Sequence, residues 1–188
     1  MFSLPIYCVM YFYFGQVYFS DLKWHQNTEH ITKKAYARLW MLKRLKQMGA
    51  SIPTLIDVYT KHVRSVLEFA AVVWNSSLTQ DNITTIERVQ KCAFSVILGA
   101  RYNSYKEACD FLKMESLSKR RQTLSRKFAI KSSKHSIHSK WFNLYQGETR
   151  TRTEKPVYKP VLGRTERLLK SAIPFLTNLL NENKEKGV

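Results

Sequence analysis

Lys33, Tyr36, Trp40, Lys43 and Arg44 are the residues whose types and spacing point most directly to chemistry. Intervals of three or four place them on one side of a helix. Lysine and arginine supply cations for phosphates, and tyrosine and tryptophan supply rings on which bases stack. A face carrying both suits a nucleic-acid backbone and its bases. The same two rings can instead pack on a neighbouring helix, the commoner fate of large aromatics, and the sequence leaves both readings open. A second basic set follows later: Lys119, Arg120, Arg121, Arg126, Lys127 and Lys131. These residues coat most of one helix, and their mutual repulsion would be relieved by a polyanion. A merely solvated charged face is the competing reading. The candidate nucleic-acid contacts are therefore Lys33, Tyr36, Trp40, Lys43, Arg44, Lys119, Arg120, Arg121, Arg126 and Lys127.

Other chemistry finds little support. His135 and His138 have a spacing that suits zinc, but no Cys-x-x-Cys or second pair accompanies them, and exposed loop histidines are expected. No glycine-rich phosphate loop and no nucleophile motif is present. Cys8, Cys92 and Cys109 make no spacing motif. Cys92 falls at an apolar helix position, where a buried free thiol is expected. An odd, scattered count suits a reducing compartment rather than a disulfide framework. No catalytic residue, metal ligand or cofactor is expected from these residues.

The elements that must position the basic faces are helical. The chain has 188 residues, 44% hydrophobic and 13% aromatic, enough for about one globular domain. It carries 31 Lys and Arg against 14 acidic residues, a net charge of +17 that favours nucleic acid as partner and anionic membrane second. A first helix, capped by Asn27 or Thr28, carries Ile31, Ala35, Leu39, Leu42, Leu45 and Met48 at a 3.6-residue rhythm and ends at Gly49. A second begins with Pro53 at its first position and bears a wide stripe from Leu55 through Tyr59, Val63 and Leu67 to Trp74. Arg64 and Glu68 on its border form an i, i+4 pair. A third runs from a cap at Thr79 to Gly99. Ser104 and Glu107 give a capping-box pattern for a short fourth, ending near Lys113. A fifth spans about Ser116 to Lys134, with Leu117, Leu124 and Phe128 inside. Periodicity then fades, and KPVYKPVLG reads as a linker or an extended surface segment. Thr165 or Gly163 opens a last apolar stretch, which Pro174 should break or kink.

Residues 1–20 carry no charged side chain. They read either as a membrane-inserted segment or as a buried β-strand. The absence of a preceding Lys or Arg, the interruptions at Pro5 and Gly15, and the Tyr, Phe and Val content favour the strand. An intracellular location, cytoplasmic or nuclear, is accordingly expected ahead of a membrane one.

RSVLEFAAVVWNSSLT, followed by IERVQKCAFSVILG, resembles the region just after the polymerase palm in reverse transcriptases of non-LTR (LINE or jockey type) retrotransposons. KKAYARLWMLKRLKQMGA resembles the helix entering that region. KPVYKP and RTERLLKSAIPFLTNLLN are similar to the closing motif of many such reading frames. YFGQVYFSDLKWH resembles the passage from the last palm strand into the thumb. The resemblance covers roughly residues 13–181 and is specific through the order of its segments. One departure lies at Ala71 and Val72, where relatives often show a Cys-Pro or similar pair; without that proline the second helix is expected to run straighter.

The resemblance implies a mainly α fold, a bundle of about five to six helices with a short N-terminal β-strand left over from the palm. Its expected divisions are an apolar segment 1–20 (palm remnant from about 13), a thumb-like domain 21–134, a linker or extended segment 135–162, and a C-terminal helix with a frayed end 163–188. It also implies a grip on RNA, DNA or hybrid template–primer backbone without sequence preference. The family polymerises through Mg²⁺ held by an aromatic-x-Asp-Asp turn and an earlier aspartate. Asp21, Asp57, Asp81 and Asp110 are the chain's only aspartates and no two are adjacent. The expectation is a truncated or degenerate reverse-transcriptase fragment that binds and does not catalyse; the alternatives are a basic protein anchored in a membrane through residues 1–20, and a non-functional relic or helical interaction module.

Overall fold

The computed structural model describes residues 10–13, 16–19, 24–146 and 156–185. The fold is mainly α. At the N-terminus β1 (Met10–Tyr13) pairs antiparallel with β2 (Gln16–Phe19), Met10 opposite Phe19 and Tyr13 opposite Gln16. Residues 1–9 lie outside the described part. Among the described residues, no helix is long and apolar enough to cross a membrane.

The chain divides into two compact units, residues 1–69 with 78–118, and residues 70–77 with 119–188. In the first unit α1 (His25–Gln47) packs along α5 (Gln80–Leu98). Ile31, Ala35, Leu39 and Leu42 of α1, and Ile86, Val89, Ala93, Phe94 and Ile97 of α5, are buried. This burial follows from their three-to-four spacing. The C-terminus of α1 closes as expected at Gly49, whose φ is +83°. The Gly49 amide donates to the Lys46 carbonyl and the Ala50 amide to Leu45, a Schellman pair of bonds. The N-terminus differs from expectation. The helix starts at His25, and Asn27 and Thr28 lie inside it, almost fully buried, rather than capping it. Trp24, itself buried, provides the carbonyl for the Thr28 amide. Burial of this first turn overrides the local capping preference of Asn and Thr.

α2 (Ile52–Val58) is capped by Ser51, whose hydroxyl accepts from the Thr54 amide, and Pro53 sits within its first turn. It continues through a π-helical turn, Tyr59–Arg64, into α3 (Ser65–Glu68). The reason lies in the sequence. Leu55, Tyr59, Val63 and Leu67 recur every four residues and all are buried. In an α-helix such a row drifts about 40° per step around the axis, so three steps would carry it out of the core. A wider turn takes up the excess residue and returns the row to one face. Side chains meet the loosened carbonyls: Arg38 donates to the His62 carbonyl at 2.6 Å and Ser65 to that of Lys61 at 2.6 Å. Arg64 and Glu68 form their expected pair at 3.7 Å.

The helix does not run on to Trp74. Phe69 turns to ψ 126°, Ala70 is left-handed at φ +51°, and α4 (Ala71–Trp74) restarts beyond it. A break therefore occurs without a proline, opposite to the expected straight helix. The division between the units falls at this break: Leu67 belongs to the first unit, and Ala71 and Trp74 to the second.

α5 is capped by Thr79 and closes at Gly99, φ +59°. α6 (Tyr105–Leu112) is capped by Ser104, which accepts from the Glu107 amide at 3.2 Å. α7 (Leu117–Ser133) starts on a carboxylate from another helix. Glu87 of α5 accepts from the Leu117 amide at 3.3 Å, from the Ser118 amide, and from the Tyr105 hydroxyl at 2.6 Å. Free amides at a helix start carry partial positive charge, so an anion is the favourable partner.

In the second unit Ala129, Phe142, Leu176, Leu179 and Leu180 form a core, with Val72, Phe128, Tyr158 and Phe175 against it. The segment expected as a linker contributes to this core. Phe142 is buried, Leu144 bridges Tyr158, and the Tyr145 amide donates to the Val157 carbonyl. Asn181 then holds Tyr158 from both sides, accepting from its amide at 3.0 Å and donating to its carbonyl at 3.1 Å. The boundaries 21–134, 135–162 and 163–188 are thus replaced by the two units above. The middle of KPVYKP pairs with another strand-like segment, a long-range partnership that local composition does not reveal. α8 (Glu166–Leu169) is capped by Thr165, and α9 (Ala172–Glu185) holds Pro174 in its first turn, so the helix breaks before it.

Candidate nucleic-acid interface

The candidate face on α1 follows from the helix that carries it. Leu39 and Leu42 face the core, so the opposite side emerges from the first unit. Lys33, Lys43 and Arg44 are exposed, Tyr36 is 42% exposed and Trp40 is 64% exposed. The Arg44 guanidinium lies over the Trp40 ring, 5.5 Å from its centroid. This cation–π contact covers one side of the indole. Tyr36 leans toward α5. Burial raises its phenol above the ordinary tyrosine pKa, the neighbouring Cys92 thiol adds to the rise, and Arg88 opposes it. Arg88 and Cys92 stand one turn apart on α5 and both are exposed. Arg88 thus joins the row on α1 as a cation that sequence reasoning missed. Its only signal is its position one turn before Cys92 on the polar side of α5. The expectation of a buried Cys92 is corrected: the α5 core row passes through Val89 and Ala93, leaving Cys92 outside. Cys8 lies outside the described residues.

The residues expected on α7 fare unevenly. Lys119, Lys127 and Lys131 are exposed and Arg120 is half-buried. Arg121 is fully buried, with Nε donating to the Asn75 side-chain oxygen at 3.0 Å and the guanidinium 5.9 Å from the Trp74 ring centroid. It is therefore an internal residue of the second unit and is removed from the interface. Arg126 lies 3.8 Å from Glu182, a partly exposed pair of small energetic weight. Each unit thus carries its own basic residues.

No protein-family model matches the chain, and neither curated proteins nor solved structures give a match.

Among the described residues no group of three or more His, Cys, Asp or Glu is placed to hold a metal ion. Asp57 is paired with Lys61 at 2.7 Å, Asp81 sits in the first turn of α5, and Asp110 lies on α6. Asp21 falls outside the described residues. His135 is exposed and His138 half-buried. The two rings stack at 4.4 Å, and His138 stacks in turn on Trp141 at 4.5 Å. Stacked rings of this kind turn their faces to one another, not their nitrogens to a shared ion. The arrangement of the α1 face can do two things chemically: attract phosphate through four cations, and offer an aromatic plane.

Proposed function

We propose that this chain is a non-catalytic nucleic-acid-binding region related to the post-palm part of non-LTR retrotransposon reverse transcriptases. It grips RNA, DNA or hybrid template–primer through the backbone, without sequence preference. The observation that carries the reading is the exposed row Lys33, Trp40, Lys43 and Arg44 on α1, with Arg88 beside it on α5. The net charge of +17 and the ordered run of segments resembling that family support it. The binding role without chemistry rests on the four scattered aspartates.

The test is binding of the purified chain to an RNA–DNA hybrid across a salt series. Each phosphate neutralised contributes about −0.7 to −0.9 to the slope of log K against log salt. Replacing Lys33, Lys43, Arg44 and Arg88 together by Ala should flatten that slope by about 3. Absence of binding by micromolar protein at low salt would sink the reading.

A further inference from the structure

We infer that Trp40 holds an unpaired nucleobase, so that the α1 face prefers nucleic acid with a single-stranded portion over a fully paired duplex. The inference rests on the nucleic-acid reading above and makes it more specific. Phosphate attraction alone needs only cations, yet this face keeps an indole 64% exposed in the middle of them. An exposed apolar side chain is by itself ordinary, and what singles out Trp40 is its place among the cations of this face. Arg44 lies over one side of the ring at 5.5 Å, which leaves the other side for a second planar group. Tyr36, one turn earlier, is drawn toward Cys92 and Arg88 and is the less available of the two rings. The surrounding side chains select the occupant by charge. Lys33, Lys43, Arg44 and Arg88 favour a polyanion, and a polyanion that also presents a flat π-face is a nucleic acid with an unstacked base. In a duplex interior both faces of every base are already covered by neighbours, so the ring would gain nothing there. Recognition through a π-face is tolerant of base identity.

The test compares a blunt RNA–DNA hybrid with the same hybrid carrying an unpaired extension, at one fixed low salt concentration. Native protein should bind the extended probe about tenfold more tightly. Trp40→Ala should abolish the difference in affinity between the two probes, whereas Trp40→Phe should retain most of it. Quenching of tryptophan fluorescence by the extended probe should be smaller in Trp40→Phe than in native protein, because Trp24 and Trp74 are buried and Trp141, though 42% exposed, is stacked on His138 away from α1 in sequence. Equal affinity for the two probes, with Trp40→Ala silent on both, overturns the inference and leaves the backbone-binding reading standing. Failure of native protein to bind either probe overturns both.

Discussion

The Glu87 carboxylate accepts from the Tyr105 hydroxyl and from the first two amides of α7. Glu87→Ala removes all three hydrogen bonds and leaves a phenol and a helix start without an anion. The expected loss is about 2 kcal/mol, read as a lowered urea midpoint. Glu87→Gln keeps an acceptor and should lose less. An unchanged midpoint in the alanine variant would show that the α7 start finds other partners. His30 makes a second residue-scale prediction. Burial lowers its pKa below the ordinary histidine value, and Lys34 and then Lys33 add to the depression. The unfolded chain therefore binds this proton more readily than the folded one. Stability from this group is complete above the unfolded pKa near 6.5 and is lost as pH falls through that value toward the folded pKa. Denaturation between neutral and mildly acid pH should show a smaller acid loss in His30→Gln than in native protein. Parallel curves would exclude His30 as a source of the loss. Much of the candidate face was legible at this scale because Lys33, Trp40 and Lys43 stand on a regular period opposite Leu39 and Leu42. Arg121 was not, because its partner Asn75 lies 46 positions away. Arg88 was not, because its relation to α1 exists only once α5 is docked.

The break between α3 and α4 places Ala70 in left-handed backbone at φ +51°. An L-residue there carries about 1 kcal/mol of strain that glycine lacks. Ala70→Gly should therefore raise stability by up to about 0.5 kcal/mol, after the extra freedom of glycine in the unfolded chain is discounted. A fall in the denaturation midpoint would mean that the methyl group contributes more than its backbone costs. The helix starts at Thr79, Ser104 and Thr165 were readable because each cap bonds an amide three residues on. Those signals are complete within four residues of sequence. The features that escaped are all set at long range. Asn27 and Thr28 look like caps but are buried by tertiary packing. Tyr158 looks like linker but is held by Asn181, 23 residues later. The π-turn after Val58 is intermediate. The four-residue spacing of Leu55, Tyr59, Val63 and Leu67 is present in the sequence, and its mismatch with an α-helix is what the wider turn absorbs.

At the scale of the molecule the dominant quantity is charge, 31 basic residues against 14 acidic. Like charges at this excess repel one another in the compact state more than in the expanded one. Raising salt from about 20 mM to about 200 mM, which shortens the screening length from about 20 Å to below 10 Å, should therefore raise the melting temperature. A polyanion such as heparin should do so at much lower concentration. A melting temperature insensitive to both would show that the charges are spaced widely enough not to matter. The partition into two units was not visible in the sequence, because one division falls at Ala70, inside what reads as a single apolar stripe, and another falls inside α7, after Ser118. That second position gives the Glu87 contact a bearing on folding. α7 is crowded with like charges, and helices of such length are marginal in isolation. Its first amides wait for an acceptor thirty residues upstream. A peptide of residues 117–133 should accordingly show mostly coil by circular dichroism, and a strongly helical spectrum would remove the dependence. In the whole chain, the first turn of α7 gains this acceptor only once α5 is in place, which couples the formation of the two helices.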